Sequence, residues 1–269
     1  MSFIYTAVFS VTTIGVICAA VLCIASKLMH VKTDERVAKL EEALPGVNCG
    51  ACGYPGCSGY ASALLSDKSV SANLCSPGGA DVLAKISSIL GVDAGSIEKK
   101  TAIVKCSGDC DAQRKKMEYK GIQSCAAAKP LFGGESACAF GCLGYGDCQK
   151  VCPSEAICIE SNLARIIPHL CTGCGLCVKA CPNKLISVES VKIPVFVACK
   201  NIEKGAVTRK KCDSGCIACG KCVRECTAGA ITLADNIAVI DYAKCTACGK
   251  CTEVCITKCI HKSYFPAVS

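Results

Sequence analysis

From Met1 to Ser26 the chain carries no charge: MSFIYTAVFSVTTIGVICAAVLCIAS. As a helix at about 1.5 Å per residue this run reaches about 39 Å, enough for a hydrocarbon core of about 30 Å. Lys27, His30 and Lys32 follow it and nothing basic precedes it. A cleavable signal peptide needs a positive start, so the run is read as a retained signal-anchor helix. The excess of positive residues after it places the rest of the chain in the cytoplasm. Cys18 and Cys23 then serve as small apolar side chains. Beyond it, Lys32 to Leu44 has an amphipathic period, with Val37, Leu40 and Leu44 on one face, Asp34 as a cap, and a stop at Pro45-Gly46. Helices are also predicted over Ser58–Leu65 and Asp81–Leu90. After residue 100 the apolar runs become short. Ile157-Cys-Ile159 and Ile231-Thr-Leu233 read as brief strands.

With no Trp, 5% aromatics and 24 Gly, the chain cannot build a large aromatic core. It has 29 Cys among 269 residues instead, and their spacing is regular. Cys171-Thr-Gly-Cys174-Gly-Leu-Cys177-Val-Lys-Ala-Cys181 is repeated as Cys216-x2-Cys219-x2-Cys222-x3-Cys226 and Cys245-x2-Cys248-x2-Cys251-x3-Cys255. This is the ligand spacing of [4Fe-4S] clusters: three thiolates wrap one cube and the fourth reaches the neighbouring one. Structural zinc uses paired knuckles on longer loops, and disulfides would consume the thiolates, so a reducing compartment is implied. Cys49-x2-Cys52-x4-Cys57, with Cys75 eighteen residues on, can surround a further cube.

The formal charge of +8 does not mark a nucleic-acid binder. Five cubanes with their thiolates contribute about −10, leaving the loaded protein near −2. His30, His169 and His261 are scattered, and neither an acid–base pair nor a Gly-rich phosphate loop is evident. NAD or flavin is therefore not expected to bind to this chain. Arg114-Lys-Lys116 and Arg209-Lys-Lys211 are either solvated faces or landing sites for an acidic protein.

Residues 101–190 and 194–262 read as two copies of one unit. Gly141-Cys142 through Cys152 aligns without a gap on Gly215-Cys216 through Cys226, with Cys138 on Cys212 and Cys106 on Cys199. Tyr145 stands where the second copy has Cys219, so the first loop lacks a ligand. Cys138, four residues before Cys142, is expected to replace it. The expected sets are Cys49, Cys52, Cys57 and Cys75; Cys138, Cys142, Cys148 and Cys181; Cys152, Cys171, Cys174 and Cys177; Cys216, Cys219, Cys222 and Cys255; and Cys226, Cys245, Cys248 and Cys251. Cys106, Cys110 and Cys125 either join Cys199 or Cys212 around a sixth cube or are buried thiols left by duplication. Cys158 and Cys259 are read as structural.

The uncharged N-terminal helix, Cys49-x2-Cys52-Gly-Tyr-x2-Cys57 with Cys75, Lys129-Pro-Leu-Phe-Gly-Gly and Gly141-Cys-Leu-Gly-Tyr-Gly-Asp-Cys148 together resemble the B subunit of the Rnf complex. The resemblance spans essentially the whole chain, in a longer variant with two ferredoxin modules. It implies a membrane complex that oxidises reduced ferredoxin, reduces NAD and translocates Na⁺ or H⁺, with this chain as the entry point for ferredoxin electrons. The Cys49–Cys75 region also resembles a cluster domain of corrinoid iron–sulfur proteins. The expected fold is α+β: a transmembrane helix (1–30), a small mainly helical single-cluster domain (31–100), and two tandem bacterial-type 2[4Fe-4S] ferredoxin-like modules (101–193 and 194–269). The expected partners are the other subunits of such a complex, soluble ferredoxin and the inner membrane, with no nucleic acid. A membrane-tethered polyferredoxin serving a hydrogenase or another reductase is the alternative, and a redox sensor a lesser one.

Overall fold

A computed structural model describes residues 2–28, 34–67, 69–92 and 95–263. Helix α1 spans Ser2–Leu28. Its stretch Ile4–Ser26 has a mean hydropathy of 2.5 and is not buried against the other described residues, so by length and composition it can cross a membrane. The hydroxyls of Thr12 and Thr13 donate back to the Val8 and Phe9 carbonyls at 2.7–2.9 Å, which satisfies the polar atoms of an otherwise apolar helix.

Next comes a small helical body. Helix α2, Glu35–Ala43, starts where the Asp34 carboxylate accepts the Arg36 N–H at 2.9 Å. The first two residues of the predicted helix, Lys32 and Thr33, lie outside the described residues. Helix α3 spans Gly56–Ser66. Helix α4, Gly79–Leu90, begins two residues before its predicted start and ends at Gly91 in the left-handed conformation. Leu40, Leu44, Tyr60, Ala61, Leu64, Leu83 and Ile86 fill the space between them, together with Cys75. The Tyr60 hydroxyl donates to the Ser71 carbonyl at 2.8 Å, tying the loop before Cys75 to this core.

The remainder is made of helical turns and two-stranded antiparallel sheets. In order they are β1 (Lys100–Val104), α5 (Cys125–Ala128), α6 (Asp147–Lys150), β2 (Ile157–Glu160), β3 (Leu163–Ile166), α7 (Leu176–Ala180), β4 (Ile186–Ser190), β5 (Val195–Val197), α8 (Gly205–Lys211), α9 (Lys221–Glu225), β6 (Ile231–Ala234), β7 (Ile237–Ile240), α10 (Lys250–Glu253) and β8 (Ile260–Lys262). β1 pairs with β4 and β5 with β8, so the first and last strands of each repeat close on each other. The β2–β3 and β6–β7 hairpins turn at Ser161-Asn162 and Asp235-Asn236, all four at positive φ, as a twisted two-residue hairpin requires.

The cores of the two repeats correspond. Val104, Ile157, Ala164, Ile166 and Ile186 surround Cys148 and Cys177 in the first. Val195, Ile231, Ala238, Ile240 and Ile260 surround Cys216, Cys222 and Cys251 in the second. Cysteine thus takes the interior positions that aromatic residues hold elsewhere. The repeats are joined through Arg114 N–H to the Lys211 carbonyl (2.9 Å), Asp213 N–H to the Ala112 carbonyl (2.9 Å) and an Arg114–Asp213 ion pair of 3.1 Å.

Candidate iron–sulfur centres

Four loops share one backbone. Gly146, Gly175, Gly220 and Gly249 precede α6, α7, α9 and α10, each at a φ between 71° and 77°. Left-handed backbone there wraps three consecutive ligand positions around one point, and Gly adopts it without a Cβ penalty. The first loop keeps this geometry even though Tyr145 replaces the cysteine. Tyr145 packs instead on Tyr119, with ring centroids 5.6 Å apart, beside Ala128 and Leu143.

The structure places Cys125, not Cys138, beside Cys142, Cys148 and Cys181. Cys125, Cys142, Cys148 and Cys181 line one cavity. Cys125 opens α5, whose start is held by the Asp147 carboxylate: it accepts the Ser124 hydroxyl at 2.8 Å and the Ala126 N–H at 2.9 Å. Cys138 lines a different cavity. A turn closed by the Gly141 N–H on the Cys138 carbonyl separates it from Cys142, so the two thiols serve different spaces. The sequence carries a signal for this. Thirty-two positions separate Cys106 from Cys138, and only thirteen separate Cys199 from Cys212. The first repeat thus has an insertion of nineteen residues, and the replacement thiol rides on that longer segment.

The other expected sets come together. Cys177 is surrounded by the thiols of Cys174, Cys171 and Cys152. Cys222 neighbours Cys216, Cys255 and Cys219, and Cys251 neighbours Cys245, Cys248 and Cys226. Buried Cys75 faces Cys57, Cys52 and Cys49. In that last loop Asn48 Oδ1 accepts the Cys57 N–H at 2.8 Å, and a Cβ on Gly56 would strike the same oxygen at 2.8 Å. Two links place these sets in order. Cys174 faces Cys49 as well as Cys152, and Cys148 faces Cys177.

The donor chemistry suits iron–sulfur clusters. Backbone N–H groups of Ala102, Ala156, Leu185 and Ala230 donate to the sulfurs of Cys171, Cys152, Cys181 and Cys226 at 3.3–3.4 Å, the contact that stabilises a cluster thiolate. Burial pushes the Cys148 and Cys177 thiols up to about 12 and Cys222 to about 11. Such thiols ionise only when a metal takes the proton's place.

The other cysteines divide. Cys110 is exposed and lines an open groove with Arg114 and Tyr145, so the expected grouping of Cys106, Cys110 and Cys125 does not form. Cys158 lies on the β2–β3 hairpin, 3.5 Å from Glu160 Oε1. Cys259 is buried 3.7 Å from the Cys255 sulfur and also hydrogen-bonds Cys216, holding both below the usual thiol range. The spacing of Cys259 in the sequence gives no sign of this contact.

Family models match three segments: an Fe-S cluster domain at residues 44–77, an "LdpA Fe-S cluster-binding domain" at 138–192 and a "4Fe-4S dicluster domain" at 170–231. Three relatives match over most of their length. The B subunit of the Na(+)-translocating ferredoxin:NAD(+) oxidoreductase complex of Acetobacterium woodii is 41% identical over 86% of this chain and 69% of its own. The B subunit of the proton-translocating ferredoxin:NAD(+) oxidoreductase complex of Clostridium ljungdahlii is 41% identical over 86% and 81%. The B subunit of the ion-translocating oxidoreductase complex of Methanosarcina acetivorans is 36% identical over 86% and 88%.

Proposed function

Because this chain belongs to the family of B subunits of ion-translocating ferredoxin:NAD(+) oxidoreductase (Rnf) complexes, where it is an iron–sulfur electron relay, we propose that it takes electrons from reduced ferredoxin and carries them along a line of [4Fe-4S] clusters. Five sets hold them: Cys49, Cys52, Cys57 and Cys75; Cys152, Cys171, Cys174 and Cys177; Cys125, Cys142, Cys148 and Cys181; Cys216, Cys219, Cys222 and Cys255; and Cys226, Cys245, Cys248 and Cys251. Each bound cubane supplies a site that accepts and releases one electron. The protein supplies the thiolates, the N–H groups that stabilise their charge, and a water-poor surround of Ile, Val and Ala side chains. In this reading α1 anchors the chain in the membrane, residues 31–100 form the single-cluster domain, and 101–193 and 194–269 are two ferredoxin-like modules of an α+β fold. The soluble part lies on the cytoplasmic side, where ferredoxin is available, and the NAD site is on another subunit.

The observation that carries the reading is the convergence of four thiols at each of five points, with backbone N–H groups directed at their sulfurs. The test is iron and acid-labile sulfide on the anaerobically purified complex, with the share of each polypeptide resolved. About 20 of each on this chain is the minimum that five cubanes require. Zinc, or a metal-free chain that still supports ferredoxin-driven NAD reduction, overturns it. Ferredoxin as the direct donor is tested by cross-linking: reduced ferredoxin is expected on this chain, and its capture only by another subunit would reject that step.

A further inference from the structure

One group of thiols belongs to none of the five sets. Cys106 and Cys138 from the first repeat and Cys199 and Cys212 from the second line a single cavity at the junction of the two. We propose that these four cysteines bind a sixth [4Fe-4S] cluster, built half by each module, which joins the two modules' clusters into one relay. The inference rests on the relay reading above and adds a site to it.

The four positions are two equivalent pairs in the repeat, Cys106 with Cys199 and Cys138 with Cys212. Each module therefore brings two equivalent positions to the junction. The lining is of the same kind as that of the ferredoxin-type set of Cys125, Cys142, Cys148 and Cys181, with four cysteines facing one space. All four are free thiols.

The sulfurs have the surroundings of cluster ligands. The Cys106 sulfur accepts the Cys142 N–H at 3.4 Å, and backbone groups two positions on, at Phe140, Asn201 and Ser214, bond the sulfurs of Cys138, Cys199 and Cys212. Cys142, Cys174 and Cys216 in the ferredoxin-type loops are bonded in the same way by Gly144, Leu176 and Ala218. In addition, Asn201, 1% exposed, directs its side-chain amide at the Cys138 sulfur at 3.7 Å. Neutral packing thiols do not need this many donors.

The placement says what the cluster would connect. The N–H of Cys142, a ligand of the adjoining first-module set, donates to the Cys106 sulfur at 3.4 Å. The N–H of Cys216, a ligand of the second-module set, bonds the Cys199 sulfur in the same way. On each side one hydrogen bond and a few covalent bonds separate a ligand of this site from a ligand of its neighbour. One electron arrives from one neighbour as one leaves for the other; the thiolates are unchanged and no proton is exchanged.

The test uses the full chain in its membrane complex, purified anaerobically. The wild type is expected to hold about 24 iron and 24 sulfide on this chain, and Cys138→Ala/Cys212→Ala to lose about four of each, while Cys110→Ala loses none. A wild type with about 20, and no loss in the double variant, overturns the sixth site and leaves the five-cluster relay standing. A metal-free or zinc-loaded wild type overturns both. If the double variant fails to fold and loses far more, Cys199→Ser decides, since serine oxygen can still ligate iron. A change in the electron paramagnetic resonance signal of one cluster with the iron count kept supports the site, and an unchanged spectrum rejects it.

Discussion

The ammonium group of Lys179 donates to the backbone carbonyl of Cys49 at 2.8 Å. Lys179 lies in α7, next to a second-loop ligand of the first module, and Cys49 opens the ligand loop of the small helical domain. Lys179→Met should therefore weaken the docking of that domain by about 1 kcal/mol, the usual net value of one such bond. Electron transfer between the two clusters should slow while the iron content stays the same. An unchanged rate in freeze-quench reduction would show that the two bodies are held by other contacts.

Cys125 and Tyr145 form a testable pair. Cys125→Ala should cost about four iron per chain. Adding Tyr145→Cys restores the regular three-cysteine loop on a backbone that already has its left-handed Gly146, so the double variant should recover the lost iron. Retention of all iron in the single variant would mean that Cys125 is not a ligand.

Asp147 holds the Cys125 arm. Burial alone would raise its pKa, but the hydrogen bonds from Ala126, Ser124 and Cys125 carry it below the usual carboxylate value. A lowered folded pKa means that this stabilisation is present at neutral pH and is lost as pH falls through that value. Asp147→Ala should remove it at pH 7, at about 1 kcal/mol for a lost helix-start cap. One cluster's iron should then pass to a chelator faster. Equal chelation rates in wild type and variant would remove Asp147 from this role.

Cys259 lies between Cys216 and Cys255. Hydrogen bonds to ligand sulfur favour the more negative, reduced cluster. Cys259→Ala should lower the potential of the Cys216–Cys255 set by on the order of tens of millivolts, with iron retained. Loss of iron would make Cys259 a ligand instead, and an unchanged potential would leave it as packing.

The basic runs differ in availability. Arg114 pairs with Asp213, Lys115 with Glu135 and Lys211 with Glu203. Arg209 and Lys210 are exposed at the end of α8. Reversing both to Glu should slow ferredoxin association and flatten its salt dependence. Kinetics identical to wild type at low salt would mean that ferredoxin docks elsewhere.

The cluster loops are legible in the sequence because ligand spacing is local: three cysteines within seven residues fix one point whatever surrounds them. The hairpins are legible too, since Asn162 and Asn236 sit at turns between short apolar runs. The vacancy at Tyr145 is visible, but not what fills it. Cys125 reaches that site through an insertion and an Asp147 contact twenty-odd residues away, which are tertiary facts. Cys138 aligns with Cys212, but alignment alone cannot tell that the two face each other across the module boundary.

The interior of each module is made largely of the cysteines proposed to hold the clusters, packed among Ile, Val and Ala side chains. Oxygen that strips a cube therefore does more than cut the wire. It empties the middle of the domain and uncovers Ile157, Ile166, Ile231 and Ile240. On this reading a chain that loses its clusters should also lose its fold and become open to proteolysis, rather than persist in the membrane as a folded protein that no longer conducts.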